Sequence, residues 1–172
     1  MSEPKRRAVI IGINKYKDSE IAQLEGPEND AVEIYEKLTD GRNFEISNEH
    51  FLRGAKATSE AIRAAVSDLF WEADPCDLVL FYFSGHGFVD GYNRGYLAPY
   101  DMQKDKPLVH GISMQELREI VMGSRGKSTV LMILDCCHSG IVVKGDKGVD
   151  EDVGQTFQAQ LKSLSAGNGR CI

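Results

Sequence analysis

Two short segments bring reactive side chains together with glycine: Ser84-Gly-His-Gly87 and Asp135-Cys-Cys-His-Ser-Gly140. A thiol becomes a nucleophile when its thiolate is stabilised, and a neighbouring imidazole does this well. Flanking glycines let a carbonyl group approach and leave backbone N–H groups for the oxyanion formed on attack. His86 with Cys136 or Cys137 therefore reads as a base and a nucleophile acting on a carbonyl carbon. Taken singly, a buried cysteine is usually an inert small hydrophobe. A lone histidine is more often a satisfied polar residue than a base. The coincidence of both, each beside glycine at the end of a strongly apolar stretch, favours chemistry. Two other chemistries fit less well. Cys136, Cys137 and His138 have the types of metal ligands, but adjacent residues at a strand end diverge and no C-x-x-C pair completes a tetrahedral site. Gly123-Ser-Arg-Gly-Lys-Ser128 approaches a phosphate loop, yet Val121 stands where that pattern needs glycine, and the segment precedes its strand.

The elements that must position these groups alternate along the chain. Ala8–Ile13 is a β-branched run, as expected of a strand buried on both faces. Asn29–Leu38 carries a helical stripe of Ala31, Val32, Ile34, Tyr35 and Leu38, closed by Asp40-Gly41. His50–Arg53 is a weak strand. Thr58-Ser-Glu-Ala61 opens a second helix with Ile62, Ala65, Val66 and Leu69 on one face. Asp77–Phe83 is the strongest strand, expected to stop at Ser84. Gly95–Ala98 is a short extended piece, and Ser113–Glu116 caps a third helix containing Leu117, Ile120 and Val121. Thr129–Leu134 is a second buried strand, expected to stop at Asp135. A polar loop follows from Lys144 to Asp152, a last helix from Phe157 to Leu164, and a strand start at Gly169–Ile172. The order predicts an α/β fold with a mostly parallel sheet. In such sheets ligands bind beyond the carboxyl ends of the strands, where both reactive segments fall.

Composition narrows the function classes. At 172 residues the chain fits one domain, spanning 1–172, and 42% hydrophobic residues can fill one core. The net charge of −6 and pI near 5.2 argue against nucleic-acid and anionic-membrane partners, which need a basic face. The longest apolar run, Leu78–Phe83, is far below the ~20 residues of a spanning helix. The charged N-terminus leads into no apolar leader region. Cys76, Cys136, Cys137 and Cys171 show no disulfide spacing, so a reducing, cytoplasmic location is expected.

The paired motifs closely resemble those of the caspase-like cysteine peptidases, above all the metacaspase and prokaryotic orthocaspase branch. His86 precedes Cys137 by 51 residues, against about 50 for the caspase pair. The Q-A-C-x-G form of caspases proper is absent, and Asp-x-Cys-His-Ser-Gly is the metacaspase variant. The likeness runs from Ala8 through Gly140. It implies a three-layer sandwich, a mostly parallel sheet flanked by helices, with the family's last two strands, which follow the strand start at Gly169–Ile172, expected to be missing from this chain. It implies that His86 is the catalytic histidine and Cys137 the nucleophile, while Cys136 packs. It matches the oxyanion hole to the backbone N–H groups of Gly87 and Cys137. It names no third triad side chain; a backbone carbonyl can orient the imidazole instead.

The resemblance also bears on substrate choice. Gly26-Pro-Glu-Asn-Asp30 resembles the metacaspase segment that supplies an S1 aspartate, so Asp30, Ser84 and Asp135 are expected to line an acidic pocket. Two carboxylates suit a guanidinium, pointing to protein or peptide substrates with Arg or Lys at P1. The competing reading of Asp30 is a helix-terminus acid favoured by the dipole, and Glu28 and Asn29 are expected to be turn and cap residues. Many metacaspases require calcium. Asp90, Asp101 and Asp105, then Asp146, Asp150, Glu151 and Asp152, are the available acids, but none has EF-hand spacing and no cofactor is expected to be required. Lys144 and Lys147 in the following loop are acceptable P1 residues for self-processing, and the loop could equally answer to a regulatory domain or activator. The rival functions are a silent caspase-like interaction module, a same-fold peptidase preferring acidic P1, and a nucleotide-binding domain. Intact His86 and Cys137 oppose the first, the acids at 30 and 135 oppose the second, and Gly12-Ile-Asn-Lys in place of G-x-G-x-x-G opposes the third.

Overall fold

Alternating apolar residues give the central strands two buried faces, and each face recruits its own helices. In the computed structural model, which describes residues 3–74, 77–123, 128–142 and 169–171 (the backbone course alone for 137–142 and 169–171), the strands are β1 (Arg6–Gly12), β2 (Phe44–Glu45), β3 (Phe51–Arg53), β4 (Leu78–Val89), β5 (Gly95–Leu97), β6 (Ile112–Ser113), β7 (Thr129–Val142) and β8 (Gly169–Cys171). The helices are α1 (Pro27–Thr39), α2 (Ser59–Trp71), the single turn α3 (Pro107–His110) and α4 (Met114–Gly123). On one face of the sheet Val9, Ile11, Val79, Phe81, Phe83, Val130 and Met132 pack with Ile62, Val66 and Leu69 of α2 and Leu117 of α4. On the other, Ala8, Ile10, Leu80 and Tyr82 pack with Ala31, Ile34, Tyr35 and Leu38 of α1. This is the three-layer arrangement expected from the sequence.

The sheet is parallel at its centre. β1 pairs with β2, β3 and β4, β4 with β7, and β7 with β8, all parallel. The β5 and β6 strands add antiparallel at one side. Caps lie where their side chains allow: the Thr58 hydroxyl accepts from Ala61 N–H at 3.2 Å, and the Ser113 hydroxyl from Glu116 N–H at 3.0 Å.

Two expectations are corrected. Neither long strand stops at its motif: β4 continues through Ser84-Gly-His-Gly87 to Val89, and β7 through Asp135-Cys-Cys-His-Ser-Gly140 to Val142. Both motifs therefore lie within strands instead of on loops beyond them. The extension has a physical cause, because β4 is paired on both edges: β7 runs along one, while β5 takes over the other where β1 ends. The short β2, β6 and α3, and two 3-10 turns at Asn48–His50 and Gly54–Lys56, carry too few residues to show a period. The expected loop at 144–152, with Lys144 and Lys147, and the expected helix at 157–164 lie outside the described residues.

Candidate active site

The β4–β7 register sets the two motifs side by side. Ser84 pairs with Asp135, Gly85 with Cys136 and His86 with Cys137. Register partners on neighbouring strands lie about 4.8 Å apart. Just beyond, the register shifts: Phe88 pairs with Ile141, so residues 138–140 of β7 are spanned by Gly87 alone. A bulge of this kind takes Gly87 out of the ladder at the very residue expected to present its N–H to an oxyanion. Towards β5, Ala98 N–H donates to the His86 carbonyl at 3.0 Å, which makes Gly87 and Leu97 a pair without mutual hydrogen bonds. The Gly87 N–H therefore points away from β5.

His86 is almost wholly buried, at 1% exposure. Its Nε2 lies 2.9 Å from the Ala22 carbonyl oxygen. A carbonyl only accepts, so this contact places a proton on Nε2. The orienting group is thus a backbone carbonyl, the arrangement that the resemblance allowed. Sequence reading could not choose Ala22, since a carbonyl oxygen is common to every residue. Cys136 is half-buried and packs against the larger core cluster, in keeping with the packing role expected of it.

A second group forms on the α1 face. Gly12 pairs with Ser84, and a Cβ on Gly12 would meet the Pro27 carbonyl oxygen at 2.3 Å and the Ala31 Cβ at 2.7 Å. Only glycine lets the start of α1 sit this close to the end of β1. A reciprocal pair fixes the approach: Glu28 N–H donates to Asn14 Oδ1 at 2.9 Å, and Asn14 N–H to Glu28 Oε1 at 3.2 Å. Asp30, in the first turn, is carried to the region of Ser84 and Asp135. Tyr82 reports this convergence. Burial raises its phenol pKa, a hydrogen bond with the Ser84 side chain opposes the rise, and the charges of Asp135 and Asp30 add to it. Asp30 is half-buried, Asp135 exposed and Ser84 buried. Tyr82 escaped the sequence reading because an aromatic within an apolar strand reads as core.

These features converge on one family. The caspase-domain model, Peptidase C14, matches residues 5–166. The chain belongs to the caspase-domain family. Among curated relatives it is similar to Metacaspase-4 of Arabidopsis thaliana, 28% identical over 171 residues that cover 91% of this chain and 38% of the relative. Metacaspase-2 of Trypanosoma brucei brucei is 29% identical over 157 residues, covering 80% and 42% of the two chains. Metacaspase-1 of Schizosaccharomyces pombe is 28% identical over 188 residues, covering 95% and 42%. The chain therefore spans about two fifths of the length of these metacaspases. Among solved structures, protein GSU0716 of Geobacter sulfurreducens superposes with a TM-score of 0.67 at 18% identity, covering 95% of this chain and 64% of that one, a likeness of fold.

In this caspase domain two of the acids between the motifs, Asp90 and Asp101, have structural partners. Asp90 closes the β4–β5 turn, accepting from Tyr92 N–H at 2.9 Å, Arg94 N–H at 3.0 Å, Arg94 Nε at 2.7 Å and the Tyr96 hydroxyl at 3.1 Å. Burial works against its charge, but the Arg94 guanidinium and these N–H groups outweigh it and lower its pKa. Asp101 accepts from Ser59 N–H at 2.7 Å and Ser59 Oγ at 3.1 Å, holding the start of α2. Among the described residues no three His, Cys, Asp or Glu side chains form a metal-binding group. Asp146, Asp150, Glu151 and Asp152 lie outside them.

Proposed function

We propose that this chain is a cysteine endopeptidase that hydrolyses peptide bonds after Arg or Lys through a Cys137–His86 dyad. The observation that carries the reading is the register pairing of His86 with Cys137, with the His86 Nε2 proton committed to the Ala22 carbonyl. In this mechanism His86 Nδ1 takes the Cys137 thiol proton, and the thiolate adds to the scissile carbonyl carbon. The backbone N–H groups of Gly87 and Cys137 stabilise the oxyanion. Collapse expels the amine, protonated by His86, and leaves a thioester. His86 then activates water to hydrolyse it. The acids Asp30 and Asp135, with the Ser84 hydroxyl, supply a negative pocket for the P1 guanidinium or ammonium. The reaction draws on no cofactor in this proposal. A regulatory partner, or cleavage after Lys144 or Lys147 by the enzyme itself, is proposed as the control on access.

A basic-P1 fluoromethyl ketone tests the assignment. Mass mapping of the alkylated protein is expected to find the adduct on Cys137 in the native chain and none in Cys137→Ala. An adduct on Cys136 would overturn the choice of nucleophile.

A further inference from the structure

One loop contacts the buried histidine at both its ring and its backbone. The segment between β1 and α1 folds back on itself, Leu24 N–H donating to the Asn14 carbonyl at 2.8 Å, and is tied to the body of the domain by Lys17 N–H to the Tyr100 carbonyl at 2.8 Å. Its Ala22 carbonyl meets His86 Nε2, and its Tyr16 hydroxyl accepts from the His86 backbone N–H at 2.8 Å. The Tyr16 and His86 rings also touch, with centroids 5.2 Å apart and planes tilted by 37°.

The position of the hydroxyl follows from ladder geometry. Gly12 pairs with Ser84, and Ile13 N–H donates to the Ser84 carbonyl at 3.1 Å. In a regular parallel ladder the next rung would run from His86 N–H to the Ile13 carbonyl. Instead the Tyr16 hydroxyl sits between these groups, 2.8 Å from His86 N and 3.5 Å from the Ile13 oxygen. It fills the gap on the β4 edge between the end of β1 and the start of the β5 pairing. Gly85 leaves room for it, since a Cβ there would meet Tyr16 Oη at 3.0 Å.

Resting on the dyad mechanism above, we propose that Tyr16 is a positioning residue for His86, its hydroxyl holding open the rung that β1 and β4 would otherwise close and so fixing where the imidazole lies. Tyr16→Phe keeps the ring and the core packing but removes the spacer. The His86 N–H must then find the Ile13 carbonyl directly or lose its partner, and either shifts the ring against the Ala22 carbonyl. Gly85→Ala, which crowds the hydroxyl and the neighbouring Phe83 ring without removing either, is expected to act in the same direction.

Two measurements on the same three proteins, wild type, Tyr16→Phe and Gly85→Ala, test this. Long-range proton–nitrogen NMR of the His86 ring is expected to show the Nε2–H tautomer in wild type, and nitrogen shifts moved toward a tautomer mixture in both variants. Hydrolysis of a basic-P1 peptide is expected to lose about 10- to 100-fold in kcat, the cost of a small misplacement, with KM nearly unchanged. The NMR arm stands even if no peptide is cleaved, which separates failure of the peptidase reading from failure of the Tyr16 role. A folded Tyr16→Phe protein with wild-type ring shifts, or with wild-type kcat where wild type is active, would overturn the proposal.

Discussion

At the scale of single residues, the reactive types were legible and their supports were not. His86, Cys137, Ser84 and Asp135 announce themselves by type and by neighbouring glycine, and strand register brings them together in the expected pairs. The groups that neighbour them gave weaker signals. The Ala22 carbonyl has no side-chain signature, Tyr82 reads as one more apolar strand residue, and Tyr16 sits in a loop where nothing marks its hydroxyl. The acidic group yields the first prediction. Asp30→Asn keeps the shape of the α1 terminus but removes a charge from a half-buried site. Losing one charged hydrogen-bond partner is expected to cost about 2 kcal/mol, roughly 30-fold in kcat/KM for a P1 Arg peptide. Circular dichroism should stay unchanged, and kinetics equal to wild type would remove Asp30 from the pocket. Cys137→Ala is expected to abolish turnover while Cys136→Ala retains it, in the same peptide assay.

At the scale of elements, the core strands and helices were legible because their periods are long and regular. Their ends were misjudged at both motifs. Glycine, present in both motifs, and aspartate, present in one, are depleted in strands, so the motifs looked like turns. Pairing on both edges of β4 overrides that local preference. Placement of α1 depends on Gly12 in the same non-local way. Gly12→Ala would drive a methyl into the Pro27 carbonyl and the Ala31 side chain. Overpacking of this kind typically costs about 1–3 kcal/mol, so the urea midpoint should fall, and P1 Arg cleavage should weaken as Asp30 moves with the helix. The Asp90 turn carries a pH prediction. Its folded pKa lies below the ordinary 3.8, so the unfolded chain binds the proton more readily. The resulting stabilisation is present in full above 3.8 and drains away as pH falls through the folded value. Urea midpoints measured from about pH 5 down to about pH 2 should show wild type losing more stability than Asp90→Asn. Parallel curves would contradict the assignment.

At the scale of the whole molecule, fold and family were legible because two separate motifs, 51 residues apart, are met by neighbouring parallel strands. Control of the proposed activity is less so, since the chain spans about two fifths of the metacaspases it resembles and the stretch with Lys144 and Lys147 lies outside the described residues. Self-processing predicts a new N-terminus following Lys144 or Lys147 in wild type and none in Cys137→Ala, read by N-terminal sequencing. Cleavage at the same bonds in both proteins would point to another protease. The most direct test of the central claim is a fluorogenic peptide series varying only P1, assayed with wild type and Cys137→Ala, in chelator and in calcium. Cleavage after Arg and Lys but not Asp, in wild type alone and without need of calcium, is the predicted result. Efficient cleavage after Asp, or turnover that survives in Cys137→Ala, would contradict it.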